Sequence, residues 1–310
     1  YQLLMQTLYL KHPRRWPVLG ERAAFDCLTR QDVLDYHASR YVPNNVVLSI
    51  AGDVDAAEIL SHLELLVEDL KSRPLNREPI PHEPHQFGSR RVRKEFAVPY
   101  SKLHLAWRLP CSAHPDTPAL SALSSILGGG RSARFYEKFH DRLGLVYSIE
   151  VHSNQSETDE GAFTISMDVD RAQRDKVRDL VLQELRNLAE EDFTEDLKRV
   201  CKQTRVSRLR RRSSASGVAS EMGADWFGSR NLNLSSEWQE AIERVTTEDL
   251  HRVCSTWLSS PNVTEVSLDP PGSNAGDEER ASASAGTALS EHVLGNGMKV
   301  VIREDHRLPL

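Results

Sequence analysis

An internal repeat is the feature that most constrains this fold. Thr29 to Asp32 opens a helical pattern that leads through a Pro-Asn pair into a β-branched run, Val46 to Ala51. Thr246 to Asp249 opens a second one, which leads through Pro-Asn into Val263 to Leu268. In both openings a threonine and an acid three residues later form a capping pattern that satisfies N–H groups of the first turn. The period, about 217 residues, is too long for a solenoid and predicts a duplicated domain.

The last twenty residues look like the start of another unit. The pair Asn296-Gly297 is the strongest short hairpin signal and lies between two apolar-rich runs. The strand after it, Met298 to Arg303, begins just before the chain stops at Leu310. We therefore expect the sequence to be a piece of a longer protein.

Composition excludes several classes of protein. At 310 residues the length favours about two domains, with 39% hydrophobic and 27% charged residues. The net charge of −6 does not favour nucleic acid, and no apolar run is long enough to predict a membrane span. The four cysteines form no CxxC pair, which favours free thiols. Periplasmic, cytoplasmic and mitochondrial-type locations all stay open.

Two stretches of biased composition divide the chain. Residues 73–85 are rich in proline and charge, and residues 269–288 are rich in Pro, Gly, Ser, Ala and acid. Both are typical of linkers. Three pieces remain. Residues 1–72 lack the front half of the repeat unit, and residues 86–268 are a nearly whole unit. Residues 289–310 contain only the beginning of a further unit.

The middle piece has alternating strands and periodic helices. Strand pairs followed by helix pairs predict an α+β sandwich whose mostly antiparallel sheet is packed by helices. The predicted strands are Lys102 to Leu109, Val146 to His152, Ala162 to Val169 and Val263 to Leu268. The predicted helices are Thr117 to Leu127, Ala133 to Leu143, Arg171 to Glu190, Thr194 to Arg212, Val218 to Trp226 and Glu237 to Arg244.

Four segments together resemble the M16 peptidases, the family of pitrilysin, insulin-degrading enzyme and mitochondrial processing peptidase. The resemblance lies in the order and spacing of these segments, and no single motif is diagnostic. The segments are His12 to Gly20, Tyr41 to Asp55, His114 to Ser148 and Leu294 to Val301. The resemblance covers almost the whole chain.

The resemblance implies a layout and an activity. It implies duplicated α/β sandwich domains of the LuxS/MPP-like type: the C-terminal half of a first domain, a complete second domain and the first strands of a third. Such domains enclose a chamber in which a zinc peptidase hydrolyses peptides. The implied partners are a peptide substrate and flanking M16 domains of the same chain or a paired subunit. The alternative is a non-catalytic M16-like scaffold, similar to the core subunits of respiratory complexes.

The zinc site of the family is missing from this sequence. Active members use His-x-x-Glu-His with a distal glutamate, and the 310 residues contain no such motif. The segment His82-Glu83-Pro84-His85 has the wrong spacing, and its proline prevents a helix from presenting both imidazoles. We expect zinc in the parent protein, no catalytic or metal residue in this piece, and no activity from it alone.

The resemblance also suggests substrate-binding residues. Active second domains supply an arginine and a tyrosine, seven residues apart, that hold the substrate backbone. Tyr147 matches that tyrosine, but the position seven before it is His140, whose imidazole is shorter and only partly charged. Arg131 and Arg134 would line the chamber by the same analogy. The alternatives are a half-buried strand tyrosine for Tyr147 and a helix-surface histidine for His140.

Two further patterns have plainer interpretations. Gly128 to Ser132 lacks the Gly-Lys-Ser/Thr ending of a phosphate loop and follows a helical pattern, which favours a turn between helices. Lys198 to Arg212 carries eight cations and no acid, but no aromatic residues interleave to stack bases. We interpret it as a solvated helix face, not a nucleic-acid site.

Overall fold

The computed structural model describes residues 1–75, 79–155, 160–258 and 261–271, together with the strand backbones at 289–293 and 299–303. Five strands form one sheet in the order β1-β5-β2-β4-β3. They are β1 (Arg90–Glu95), β2 (Ser101–Leu109), β3 (Val146–Asn154), β4 (Gly161–Val169) and β5 (Thr264–Asp269). β1 and β5 are parallel and the other neighbours are antiparallel. The predicted α+β class with a mostly antiparallel sheet is confirmed.

Helices lie between the strands along the chain, one between β2 and β3 and the others between β4 and β5. They are α5 (Thr117–Gly128), α6 (Arg174–Asn187), α7 (Thr194–Arg211), α8 (Ala215–Ser229), α9 (Leu234–Glu243) and α10 (Thr247–Val253). A π-helix, Cys254–Leu258, continues α10, and another, Tyr136–Arg142, lies within the helix predicted at 133–143. The turns of Tyr136–Arg142 are wider than those of the predicted α-helix, because the N–H group of Leu143 donates to the carbonyl of Lys138, five residues back.

The first 72 residues hold four helices. They are α1 (Gln2–Leu8), α2 (Arg22–Asp26), α3 (Arg30–Arg40) and α4 (Ala56–Val67). Single 3₁₀ turns lie at Pro13–Arg15, Pro43–Asn45, Arg171–Gln173 and Leu188–Glu190. The two predicted capping boxes are both present, one at the start of α3 and one at the start of α10.

One predicted strand is wrong. Residues 46–51 pair with no strand among the residues that the structure describes. The segment instead runs along α8, where the Ser49 hydroxyl donates to the carbonyl of Ala219 at 2.7 Å. A β-strand needs a neighbouring strand that forms hydrogen bonds with its backbone N–H and C=O groups. The repeat pattern in the sequence does not show whether such a neighbour is present.

The linkers and the closing hairpin are described in part. Within 73–85, the described residues form no helix or strand, and residues 76–78 lie outside the described part. Most of 269–288 and the pair Asn296-Gly297 also lie outside it. Strands β6 (Leu289–Val293) and β7 (Lys299–Arg303) pair antiparallel around that predicted turn.

The main core lies between one face of the sheet and the helices. Alternate residues of β2, such as Leu103, Leu105 and Trp107, are almost fully buried and point to that face. They pack with apolar residues of α5, α6, α7, α9 and α10. At the last residue of α5, a Cβ on Gly128 would come within 2.4 Å of the Val151 backbone nitrogen. Close packing on β3 thus explains this glycine, in keeping with the predicted helix-to-helix turn.

Buried charges hold the β1 edge of the sheet. Glu265, only 3% exposed, accepts hydrogen bonds from Arg91 at 2.8 Å and Arg93 at 3.3 Å. These pairs explain why β1 forms although its sequence has one apolar residue, Val92, and no alternation. The side-chain pattern of residues 90–95 does not predict a strand.

Candidate substrate-facing surface of the sheet

The second face of the sheet carries a group of polar side chains on β2, β3 and β4. The strand register places Lys102 opposite Asp168 and His104 opposite Ser166. Asp168 also lies opposite Ser148 on β3. Because successive side chains of a strand alternate, these residues point away from the main core. We call this surface the polar face. It contains Tyr100, Lys102, His104, Tyr147, Ser148, Glu150, His152, Ser166, Asp168 and Asp170.

α1 covers one end of the second face. Its residues Leu4, Met5 and Leu8 are buried against Ala106, Ala162 and Val266 of the sheet. The Arg90 guanidinium donates to the Leu8 carbonyl at 2.8 Å, which fixes the end of the helix. The first helix of the chain is therefore packed on the sheet of the 86–268 piece, and it borders the polar face.

Tyr147 lies at a bulge on the polar face. The pairing of β3 with β4 shifts between Val146 and Ser148, which leaves Tyr147 as the extra residue. Its hydroxyl donates to Oδ1 of Asp170 at 2.8 Å, and its ring lies 4.1 Å from the ring of Tyr100. Tyr147 is 42% exposed, so its phenol lies at the surface. The bulge re-aims this side chain and places a hydrogen-bonding group at the edge of the polar face.

His140 lies in different surroundings. It belongs to the π-helix Tyr136–Arg142, and its ring stacks on Tyr136 with centroids 4.4 Å apart. Its Nδ1 is 2.7 Å from Oδ1 of Asp141. These contacts lie within its own helix, whereas Tyr147 contacts Tyr100 and Asp170 on the sheet. The predicted role of His140 in substrate binding stays a prediction.

The two arginines differ in their environment. Arg131 is exposed in the turn after α5. Arg134 is held by acids at the start of α7: its Nε lies 2.7 Å from Asp196 and its Nη1 lies 3.1 Å from Glu191. Its guanidinium also lies over the ring of Phe193, at 4.6 Å. These contacts tie Arg134 to the helical layer, and its predicted place in a chamber wall stays a prediction.

Two side-chain pairs set the electrostatics of the polar face. Lys102 and Asp168 form an ion pair at 2.9 Å, and Nδ1 of His104 lies 2.8 Å from the Ser166 hydroxyl. Burial, helped by the positive charge of the nearby chain terminus, lowers the pKa of His104 to about 4. His104 is therefore neutral near pH 7 and acts there as a hydrogen-bonding group, not as a charge.

A cavity opens beside the polar face. It has a volume of about 440 Å³ and lies between the N-terminal segment and the paired ends of β3 and β4. Arg14, Arg15 and Trp16 line one side, and Asn154 and Thr164 line the other. Two guanidinium groups, an indole and two polar side chains suit a ligand with carbonyl oxygens and apolar side chains.

The described residues do not form a metal site. No group of three or more His, Cys, Asp or Glu side chains in the part that the structure describes is placed to hold an ion. The carboxylate of Glu83 instead accepts hydrogen bonds from the N–H groups of Leu10, Lys11 and His12 at 2.6–2.9 Å. This residue anchors the 73–85 segment to the N-terminal one.

The basic helix is partly paired. Within α7 and the residue after it, Arg208 and Arg212 both contact Glu221, and Arg205 contacts Glu243. Six of the eight cations are nevertheless exposed, in keeping with the predicted solvated face, while acids on α8 and α9 pair with part of the helix. Across the described residues, no helix is long and apolar enough to cross a membrane.

Comparison with known proteins identifies the family. A profile of the family described as the peptidase M16 inactive domain matches residues 28–203. The chain belongs to this family. The zinc protease PqqE of Helicobacter pylori is 24% identical to this M16 chain over 278 residues, which cover 87% of the chain and 62% of PqqE. The M16 chain thus spans less than two thirds of this relative.

Two solved structures share the M16 fold. The crystal structure of a protease from Helicobacter pylori matches with a TM-score of 0.76 and 25% identity, covering 86% of this chain and 66% of that one. A peptidase M16 inactive domain from Pseudomonas fluorescens matches with a TM-score of 0.76 and 20% identity, covering 88% and 65%. The fold predicted from the resemblance is confirmed.

The sequence singles out Tyr147 but not the residues that surround it. Tyr100 and Asp170 each lie one residue outside a strand, so the alternation of β2 and β4 did not draw attention to them. Lys102 and His104 are polar positions in the alternating pattern of the strand predicted at 102–109. Their pairing with β4 required the register, which the sequence does not give.

Proposed function

We propose that this chain supplies a substrate-binding and structural part of a zinc-dependent M16 peptidase that hydrolyses peptides in an enclosed chamber. The cluster of Tyr147, Tyr100 and Asp170 on the polar face carries the proposal. Because the phenol proton of Tyr147 is donated to Asp170, its oxygen can accept a hydrogen bond from a peptide N–H, and the neighbouring strands offer further donors and acceptors. The helical layer gives the sheet a rigid support.

The proposal includes the division of the chain. Residues 1–72 would be the C-terminal half of a first M16 domain, and 86–268 a complete second domain. Residues 289–310 would open a third, with 73–85 and 269–288 as linkers. Large apolar side chains exposed on α3, α4 and the 46–51 segment, such as Leu34, Leu48 and Leu65, support a missing packing partner for the first unit.

Zinc would be held outside this piece. The names of the relatives support zinc in the parent family. No step of the chemistry is assigned to residues of this chain. Their part would be to bind and orient the peptide, which lowers the barrier by positioning.

The alternative is a non-catalytic M16-like scaffold. It is favoured by one observation, namely that His140 stands where active members of the resembled family carry an arginine. In a scaffold the polar face would be a packing surface, and its hydroxyl groups would serve stability alone.

The Tyr147→Phe variant tests the proposal in the full-length protein. Loss of one hydrogen bond to substrate should lower kcat/KM about three- to tenfold. The melting temperature should stay nearly unchanged, since the Asp170 contact is exposed. A fall in melting temperature with an unchanged kcat/KM would instead assign Tyr147 a structural role.

A further inference from the structure

A second, larger cavity lies in the helical layer. It is a cleft of about 820 Å³ between α7, α8 and α9, closed by residues 112–113 and by Gln155 at the end of β3. Its volume falls in the range of about 300–1,000 Å³ that is typical of sites for small ligands. Because the helices pack on the opposite face of the sheet, this cleft is separate from the polar face. We call it the helical cleft.

A buried carboxylate in the helical cleft lacks one hydrogen-bond partner. Glu221 of α8 lines the cleft and is 5% exposed. Its Oε1 accepts hydrogen bonds from Arg208 at 3.1 Å and Arg212 at 2.8 Å. Its Oε2 has no partner among the described residues. Buried carboxylate oxygens are costly to leave unpaired, so this oxygen indicates a ligand that donates a hydrogen bond.

A second unpaired group lies in the same cleft. The amide nitrogen of Gln155 is buried and has no hydrogen-bond partner within the part of the chain that the structure describes. The cleft therefore offers one unpaired acceptor, on Glu221, and one unpaired donor, on Gln155. A peptide unit carries the matching pair, an N–H group and a C=O group.

The charge of the cleft selects the ligand further. The two arginines on Glu221 hold the pKa of its carboxyl below its usual value, against the opposing effect of burial, so it is ionised. Arg211 also lines the cleft and has no ion-pair partner among the described residues. Arg208 and Arg211 line the cleft and Arg212 contacts Glu221 from beside it. These three positive charges against one carboxylate leave a net positive site, which repels an ammonium group and attracts an anion.

The remaining walls are apolar. Val200 of α7, Leu234 and Trp238 of α9 line the cleft beside the charged groups. They can pack against the side chains of a ligand, while the charged groups fix its orientation. A ligand with apolar side chains, a peptide backbone and one carboxylate satisfies all of these features.

We propose that the helical cleft binds a short peptide with a free C-terminal carboxylate. Arg211 holds the carboxylate, Oε2 of Glu221 accepts a backbone N–H, and the Gln155 amide donates to a carbonyl. This site rests on the proposed peptidase function, because each hydrolysis leaves one product with a new C-terminal carboxylate. The cleft is then a product site outside the substrate-facing surface.

Calorimetric titration of the 310-residue chain tests the site. The probes are acetyl-Gly-Ala-Leu, which has a free carboxylate, its C-terminal amide, and acetate alone. The acid should bind saturably to one site, and the amide and acetate should bind at least about tenfold more weakly. Equal affinity for the acid and the amide, or for the acid and acetate, would overturn the proposal. So would no saturable heat from any probe, which would leave only water in the cleft.

Two arginine variants provide a matched comparison. Arg211→Gln should weaken binding of the acid about tenfold, since it removes a charged hydrogen bond. Arg210→Gln makes the same charge change one residue away, at a side chain that does not line the cleft. It should change the affinity less than about twofold at moderate salt. Equal losses in the two variants would show a diffuse effect of the basic helix and contradict the site.

Binding and turnover can be separated. Calorimetry on this chain needs no zinc and no hydrolysis, so absence of binding would leave the Tyr147 kinetics untouched. An unchanged kcat/KM in Tyr147→Phe would equally leave the binding result in place. Gln155→Leu should weaken binding of the peptide acid about threefold, and the cleft should still prefer the acid over the amide by the same factor.

Discussion

At the scale of single residues, the polar face depends on side chains at the ends of strands. The Tyr147 hydroxyl bridges the bulge in β3 to Asp170, just beyond β4. The ion pair of Lys102 and Asp168 lies one step further along the same face. A short row of polar contacts thus crosses three strands, and a substitution at one position changes the donors that a peptide would meet.

His104 on this row predicts a pH dependence of stability. Its folded pKa of about 4 lies below the ordinary value of 6.5, so the unfolded chain binds the proton more readily. The stabilising contribution is therefore complete above about pH 6.5 and is lost as the pH falls towards 4. It amounts to at most about 3 kcal/mol. His104→Gln should flatten the fall in melting temperature over this range.

The comparison of the two proteins isolates His104 from other titrating groups. Lys102, Asp168 and the chain terminus face the same imidazole and are unchanged in the variant. Melting curves measured at half-unit steps from pH 4 to 7 provide the test. Parallel curves for the two proteins would mean that the imidazole is not buried neutral.

At the scale of elements, two like capping boxes stand in unlike surroundings. Thr246 caps α10, whose Leu250 and Val253 are fully buried. Thr29 caps α3, which contains no buried residue. Thr246→Ala should lower the free energy of unfolding by about 1 kcal/mol, since it loosens a helix of the main core. Thr29→Ala should have almost no global effect.

Urea denaturation measures this difference directly. The matched substitution removes the same hydroxyl from the same type of cap, so only the packing differs. If both variants lost equal global stability, α3 would be part of the cooperative core, contrary to its exposure in this structure.

The capping boxes were also predictable from sequence, while two neighbouring features were not. A capping box depends on two residues that are three positions apart, so it can be recognised in the sequence. Strand β1 depends on Glu265, more than 170 residues away, because its arginines gain partners only after folding. The strand predicted at 46–51 was wrong for a related reason. A strand forms only where a neighbouring strand pairs with its backbone, and the side-chain pattern does not show whether such a neighbour is present.

At the scale of the whole molecule, the chain consists of one well-packed unit and further segments that contact its surface. The sheet and the helices around it bury a continuous core. α1 joins this unit through the second face of the sheet, which sequence boundaries alone did not predict. α2, α3 and α4 contain no buried residue.

Photo-crosslinking tests most directly whether the polar face meets substrate. A benzophenone side chain would replace Glu150 on the polar face or Asp179 on α6 in the full-length protein, and a peptide substrate would be added before irradiation. Both positions are equally open, with side chains 68% and 66% exposed. We expect a peptide adduct at position 150 and little at 179. Equal adducts, or an adduct at 179 alone, would contradict it.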